Sequence, residues 1–367
     1  MPRVLHVITS LDADGAQTLL MDFAARCPVE RCENVVAYLL GAGPLADEPR
    51  YAGVQTVDLT RGGAFHWPSL FRLARLVRSQ CFDLVHTHLV HGGIIGRLAA
   101  RLGGGVPTVT TRHYGTELKE RTLLYRWEDR MTRGTGRVVA ISAAVREHLV
   151  GRGIARPERV SVIHNALDPK LFGGEPVAES DSSRPPVLGS IGRLRPQKGY
   201  HHLLEAFRQV RERHPGASLE IVGEGPLRGE LEARCRELGV DGAVRFLGRV
   251  PHHEVPCLLD GWDLFLLASE WEGFGMVLIE AMARARPVVA TRVEGVLEVV
   301  EEGVSGVLVP PADPAALADA AAALLDDPVR REALGRAGRE RALQRFSIAT
   351  FIERTLAVYD ELLEGGR

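Results

Sequence analysis

Two carboxylates, Glu272 and Glu280, stand eight residues apart in the stretch SEWEGFGMVLIEAM (269–282), around a small GFG turn and an apolar run. Two readings fit: a pair acting on one bond, or two grips on different parts of one extended ligand. If a helix starts near Gly275, Glu280 lies on its second turn and Glu272 in the loop before it. At about 1.5 Å of rise per residue, the spacing corresponds to roughly 12 Å. Paired carboxylates that cleave glycosidic bonds usually stand about 5 to 9.5 Å apart. A loop can fold back, so the pair stays open, but the extended ligand suits the spacing better. Gly273, Phe274, Gly275, Met276 and Val277 would then present backbone N–H groups at a helix start, where hydroxyl oxygens and anions are well bound. A buried helix with a capping glutamate is the purely structural alternative.

A second stretch, GRLRPQKG (192–199), places Arg193 and Lys198 in a loop that leads toward a helix. Two cations beside a helix N-terminus suit a diphosphate, and a solvated basic turn is the bland alternative. Nearer the start, SLDADGAQTLL (10–20) brings Gly15 to a loop-to-helix junction where backbone can approach a phosphate. Asp12-Ala13-Asp14 also spells a DxD that could hold a divalent metal, but acidic residues before a helix are ordinary caps. The expectation is no metal. His86, His88, His91, His113 and His164 gather near strand ends. His86 and His88 would share one strand face, where a metal is conceivable, yet no acidic third ligand stands nearby and a structural role is the commoner one. His113, after a buried strand, is the first choice for a substrate contact.

These residues need a frame, and the chain supplies two. Its 367 residues favour two domains. With 45% apolar and 25% charged residues it has the composition of a globular enzyme, and a net charge of −2 gives no global field toward nucleic acid. Five cysteines without a CxxC pair fit free thiols in a reducing cytoplasm. The opening MPRVLHVITSLDADG looks more like a first strand than a signal peptide, and no apolar run approaches the length that spans a bilayer. Short apolar strands at 3–9, 34–40, 83–88, 107–111, 137–142 and 160–164 alternate with helices near 15–26, 67–80, 92–103, 119–132 and 143–152. GGEPVAESDSSRPP (173–186) reads as a linker. A second series follows, with strands at 186–194, 218–223, 244–248, 263–269, 287–291 and 306–309. The expected fold is α/β, two doubly wound Rossmann-like domains facing a deep interdomain cleft. The expected boundaries are 1–173, 174–344 and a C-terminal helix in 345–367 that returns to the first domain.

In their order and spacing, GRLRPQKG, IVGEGP, FLGRV and EWEGFGMVLIEAMARARPVVAT resemble the family 4 retaining glycosyltransferases of the GT-B fold. VHTH, TTRH, AISAAVREHL and VIHNALDPKLF extend the resemblance over nearly the whole chain. It implies an enzyme that moves a hexose from a UDP- or GDP-linked sugar to a hydroxyl acceptor without metal or other cofactor. Glu272 and the Gly273–Val277 amides would hold the donor's sugar, and Glu280 the ribose. Arg193, Lys198 and the Gly15 amide would hold the diphosphate, the backbone around Arg249 and Val250 would meet the base, and His113 would approach the sugar and leaving phosphate. On this reading His113, Arg193, Lys198 and Glu272 form the catalytic set.

The chain departs from the family pattern at three places. A Gly-Gly of the first loop is Asp14-Gly15, an Asn-Gly is Asn165-Ala166, and TRVEGVLEVV lacks a Gly-Gly, which weakens any transfer of a role to Glu298. Competing readings on the same fold are a nucleotide-sugar-binding module and a non-hydrolysing epimerase. The acceptor would be a lipid-linked glycan or a small molecule, in envelope glycan, glycolipid or small-metabolite synthesis. LKERTLLYRWEDRMTR (118–133) mixes Arg, Trp, Leu and Met and could lie on an anionic membrane at the inner face of the plasma membrane, although its acidic residues favour a solvated helix.

Overall fold

A computed structural model of the chain describes residues 1–12, 14–60, 67–113, 123–175 and 184–365. Residues 1–166 and the segment from Ile348 onward form one compact unit, and Leu167–Ser347 form the other. The second unit begins ahead of the linker-like stretch because Leu167 pairs with the strand-like end of that unit, its N–H donating to the Phe346 carbonyl at 2.9 Å. Most of that stretch, 176–183, lies outside the described residues.

The first unit holds β1 (Arg3–Ile8), β2 (Glu33–Tyr38), β3 (Gln55–Asp58), β4 (Leu84–His88), β5 (Thr108–Arg112), β6 (Arg137–Ala140) and β7 (Val160–Val162). Among the described residues they form one parallel sheet in the order β3-β2-β1-β4-β5-β6-β7. The expected strands are all present. β3 was not in the expected series, for a visible reason: QTVD is a mostly exposed edge strand with no continuous apolar run. The expected helix at 119–132 is described only as Leu123–Thr132, since 114–122 lie outside the described residues. Helix Ile348–Glu364 belongs to this unit, where Ile352, Leu356 and Tyr359 share a core with Val4, Phe23 and Leu84.

The second unit repeats the pattern with β8 (Val187–Ile191), β9 (Ser218–Val222), β10 (Val244–Gly248), β11 (Leu264–Leu267), β12 (Val288–Thr291) and β13 (Val307–Val309). Its described strands are parallel in the order β10-β9-β8-β11-β12-β13. In both sheets the first strand lies beside the fourth, and the chain winds outward in opposite directions from that line. This is the Rossmann-like arrangement expected from the alternating pattern, and its switch point is where ligands bind in open α/β sheets. Burial on both faces explains the apolar runs LFLL and VVAT of β11 and β12, which are fully buried.

Candidate functional site

In the second unit, the loops that leave β8 and β11 emerge side by side because those strands are neighbours. Lys198 ends a short 3-10 turn, Pro196–Lys198, and Gly199 (φ +61°) swings the chain into helix Tyr200–Arg213. A Cβ at Gly199 would stand 2.0 Å from the Ala268 carbonyl oxygen, so only glycine lets the two loops touch there. The contact is productive: Lys198 forms an ion pair with Glu272, both side chains being largely buried. Glu272 also accepts a hydrogen bond from Ser269 Oγ at 2.9 Å. Arg193, from the same loop as Lys198, is exposed.

Glu272 and Glu280 are tied to different bases. Helix Met276–Ala283 starts at Gly275 (φ +87°), where no side chain caps it, so the helix-opening amides of Met276 and Val277 have no intrahelical acceptor. Glu280 lies on the second turn, as the spacing implied, and its Oε1 is 3.0 Å from His252 Nε2. His252 stands in the 3-10 turn His252–Glu254, which follows β10 and the Arg249-Val250 pair. Phe274 turns its ring inward against Phe346, with centroids 5.5 Å apart, leaving only its backbone for a ligand. Gly295 lets the next helix, Glu294–Val299, approach the same loop: its N–H reaches the Glu272 carbonyl at 3.3 Å, and a Cβ there would lie 2.6 Å from that oxygen.

In the first unit, Gly15 opens helix Gly15–Arg26 after β1 and is exposed at its N-terminus. Asp12 accepts a hydrogen bond from Ser10 Oγ at 2.6 Å, and Ala13 of the DxD lies outside the described residues. His113 follows β5 directly. Its Nε2 is buried without a partner among the described residues, and burial, assisted by the Arg112 charge, lowers its pKa to about 4. Behind it, Arg112 donates to Asp129 at 2.9 Å and to Thr132 at 3.2 Å and faces the buried Glu128 at 3.9 Å. Arg97 joins through Thr110 and Thr132, at 3.1 and 3.0 Å. Burial raises the Glu128 pKa against the pull of Arg112 and Arg97. This network fixes helix Leu123–Thr132 to β5, next to His113. The opposite face of that helix exposes Leu123 (74%) and Trp127 (60%) with Arg126 and Arg130 beside them.

His86 and His88 do share a face, with ring centroids 4.2 Å apart. Sequence reasoning missed their companion, His6 on β1, which lies opposite His86 in the register and whose Nδ1 is 3.2 Å from His88 Nε2. It also missed His252, whose signal was the basic run after β10, and the Arg97–Glu128–Arg112 network, for which the sequence carries no local signal.

Residues 176–341 match the family model described as glycosyl transferases group 1, and residues 13–171 match that of glycosyltransferase family 4. The chain is 32% identical to a D-inositol 3-phosphate glycosyltransferase of Catenulispora acidiphila, over 94% of this chain and 85% of that protein. It is 27% identical to an Escherichia coli UDP-Gal:α-D-GlcNAc-diphosphoundecaprenol α-1,3-galactosyltransferase, over 80% of this chain and 79% of the other. Its fold is similar to that of the Anabaena protein HepE crystallised with UDP and glucose, with a TM-score of 0.86 and 24% identity over 98% and 100% of the two chains.

The buried imidazoles make a pH prediction. Burial lowers His6 to about 4 and holds His86 and His88 well below the ordinary histidine value. The unfolded chain takes up protons below about pH 6.5 that these rings refuse in the folded one, so their stabilising contribution is complete above that pH and is lost as pH falls toward 4. For metal-free protein, urea unfolding of the first unit should weaken by up to about 1.4 kcal/mol per ring per pH unit below 6.5. A midpoint that stays constant from about pH 7 to about pH 5 would show that the rings are already protonated or exposed.

Proposed function

From the premise that this chain belongs to the family 4 glycosyltransferases of the GT-B fold, enzymes that take sugar from a nucleotide donor, we propose that it is a retaining, metal-independent hexosyltransferase acting on a hydroxyl acceptor. One observation carries the site assignment: Glu272 and Glu280 hold separate bases, Lys198 and His252, presented by separate loops. That suits two grips on one long donor. Glu272 and the Gly273–Val277 backbone take the sugar hydroxyls. Glu280 takes the ribose, with Arg249 and Val250 at the base. Lys198, Arg193 and the Gly15 amide take the diphosphate, and His113 faces the sugar and the leaving phosphate.

The bond between the anomeric carbon and the phosphate oxygen breaks through an oxocarbenium-like transition state, and charge develops on the β-phosphate. Lys198 and the amides at the start of helix Met276–Ala283 are fixed before that charge appears, which is the arrangement that lowers a barrier most. The acceptor oxygen attacks the same face that the phosphate leaves, and its proton passes to the departing phosphate oxygen. Glycoside and nucleoside diphosphate result, configuration is kept, and no protein nucleophile is required.

The mixed apolar and basic face at Leu123, Arg126, Trp127 and Arg130 supports a lipid-linked acceptor, reached at an anionic membrane surface on its cytoplasmic side. The similar E. coli enzyme, by its name, takes a diphosphoundecaprenol acceptor. The chain should sediment with vesicles rich in phosphatidylglycerol, and Trp127→Ala should release it. Equal retention of both proteins, or retention of neither, removes this role from the helix.

Donor binding separates the carboxylates. UDP contains the ribose but lacks the sugar, so Glu280→Gln should weaken UDP in calorimetric titration. Glu272→Gln should leave UDP affinity unchanged or higher, because it frees Lys198 for the diphosphate, while sugar transfer falls. Equal losses of UDP affinity in both variants would refute the assignment.

Charge neutralisation by side chains predicts transfer in excess EDTA, and a Lys198→Ala enzyme whose barrier rises by on the order of 2 to 4 kcal/mol. A fall in turnover of less than about tenfold in folded protein would remove Lys198 from that role. Loss of transfer in EDTA, restored by Mg²⁺ or Mn²⁺, would instead assign a hard cation to Asp12 and Asp14.

A further inference from the structure

His6, His86 and His88 are buried in the middle of the first unit's sheet, on strands that lie side by side, and the mechanism above uses none of them. Three nearby imidazoles need partners, and here the partners have a definite sense. Asn34 Nδ2 donates to the Cys32 carbonyl at 3.3 Å, so its Oδ1 faces His6 Nε2 at 2.9 Å and can only accept. His6 therefore carries its proton on Nε2, and its Nδ1 is a bare lone pair. That lone pair points at His88 Nε2, 3.2 Å away. His86 sits between two hydroxyls, with Nδ1 at 2.6 Å from Tyr359 and Nε2 at 2.7 Å from Thr111.

The geometry points to a metal site: we propose that His6, His86 and His88 bind one borderline divalent ion of the Zn²⁺ type, with an open fourth position toward the pocket that His113 and Asn165 line. One ring nitrogen from each histidine lies within 4.8 Å of the others. Zn–N bonds of about 2.0–2.1 Å in a tetrahedron place ligand nitrogens roughly 3.3–3.4 Å apart, close to the separation already present between His6 and His88. Two histidines at alternate positions of one strand and a third from the adjacent strand present their rings on one face, which three-histidine zinc coordination requires. Two of the three outer supports are also in place. A ligating imidazole needs an acceptor for its other N–H, and Asn34 Oδ1 supplies one to His6 while the Tyr359 hydroxyl supplies one to His86.

Binding needs no net loss of protons from the rings. His88 moves its proton from Nε2 to Nδ1, and His86 exchanges its Thr111 contact for the metal. At the fourth position the pocket offers two buried atoms without partners among the described residues, His113 Nε2 and Asn165 Oδ1. A metal-bound water has two protons to donate: Asn165 Oδ1 accepts one, and His113 Nε2 accepts the other in its Nδ1–H tautomer. Three imidazoles and no carboxylate favour Zn²⁺ or Co²⁺ over Mg²⁺ or Mn²⁺, so this ion is distinct in kind from one that would neutralise a diphosphate.

The test uses the full-length chain without a histidine tag, stripped of metal under native conditions and titrated with Co²⁺ in the absence of any nucleotide sugar. Its outcome is therefore independent of whether the transferase assignment holds. One equivalent per chain is expected, with the intense visible absorption of four-coordinate Co²⁺, displaced by one equivalent of Zn²⁺. His6→Ala and His88→Ala should abolish that spectrum, and His201→Ala, a half-buried control on helix Tyr200–Arg213 of the second unit, should leave it intact. If the core variants fail to fold, X-ray absorption of Co²⁺-loaded wild type decides, and three imidazole ligands are expected. A wild-type chain that takes up no stoichiometric Co²⁺, a spectrum that survives His88→Ala in folded protein, or fewer than three imidazoles overturns the site.

Discussion

In a parallel sheet every strand must be entered from the same end, and in both units the chain reverses its direction of winding between the first strand and the fourth. That single constraint places two loops, distant in sequence, at one point with no helix between them. In the second unit it joins the loop after β8 to the loop after β11, and so brings Lys198 to Glu272. In the first it sets β1 against β4, and so brings His6 to His86 and His88. Gly199 is the local condition for the first meeting, since any side chain there would collide with the Ala268 carbonyl.

The Lys198–Glu272 pair has an energetic consequence. Two charges withdrawn from water repay their desolvation only through each other and through further hydrogen bonds, here the one from Ser269. A pair of this kind contributes little to stability, but it holds both groups in a fixed place. An entering diphosphate can take over the lysine only if the carboxylate finds new donors, and sugar hydroxyls are such donors. The two halves of a nucleotide sugar therefore relieve the two halves of the pair together, whereas either alone leaves one charge underpaired. On the assignment proposed above, such a site prefers the intact donor over its fragments.

Much of this was legible in the sequence, and the pattern of success has a physical basis. Starts of elements are written locally: Gly15 and Gly275 open their helices as the spacing indicates, because a small residue before an apolar helical run is a short-range signal. The placement of Glu280 on the second turn, with Glu272 in the loop before it, followed from helix geometry alone. What escaped were contacts between residues far apart in the chain. His6 reads as one polar residue inside the strand RVLHVI, and only the β1–β4 register shows that it faces His86. Arg97, Arg112 and Glu128 look like surface charges on amphipathic helices and a strand end. Their burial is a product of packing between helix Leu123–Thr132, the sheet and the helix before β5.

The two units thus solve the same problem in opposite ways. At each switch point polar side chains are drawn into buried places, on the strands in the first unit and in the loops at the strand ends in the second, where an unsatisfied group is costly. The second unit answers with full charges of opposite sign, Lys198 against Glu272. The first answers with imidazoles, the proton of His6 being placed by Asn34, so that the His6–His88 contact carries no opposed charges and one lone pair is left aimed at a neighbour. Charge in one and neutrality in the other follow from partner choice alone, Glu272 facing an amine and His6 facing an amide oxygen. The shared topology fixes where polar side chains gather in each unit, and the acceptor or donor character of one neighbouring side chain fixes whether they carry charge.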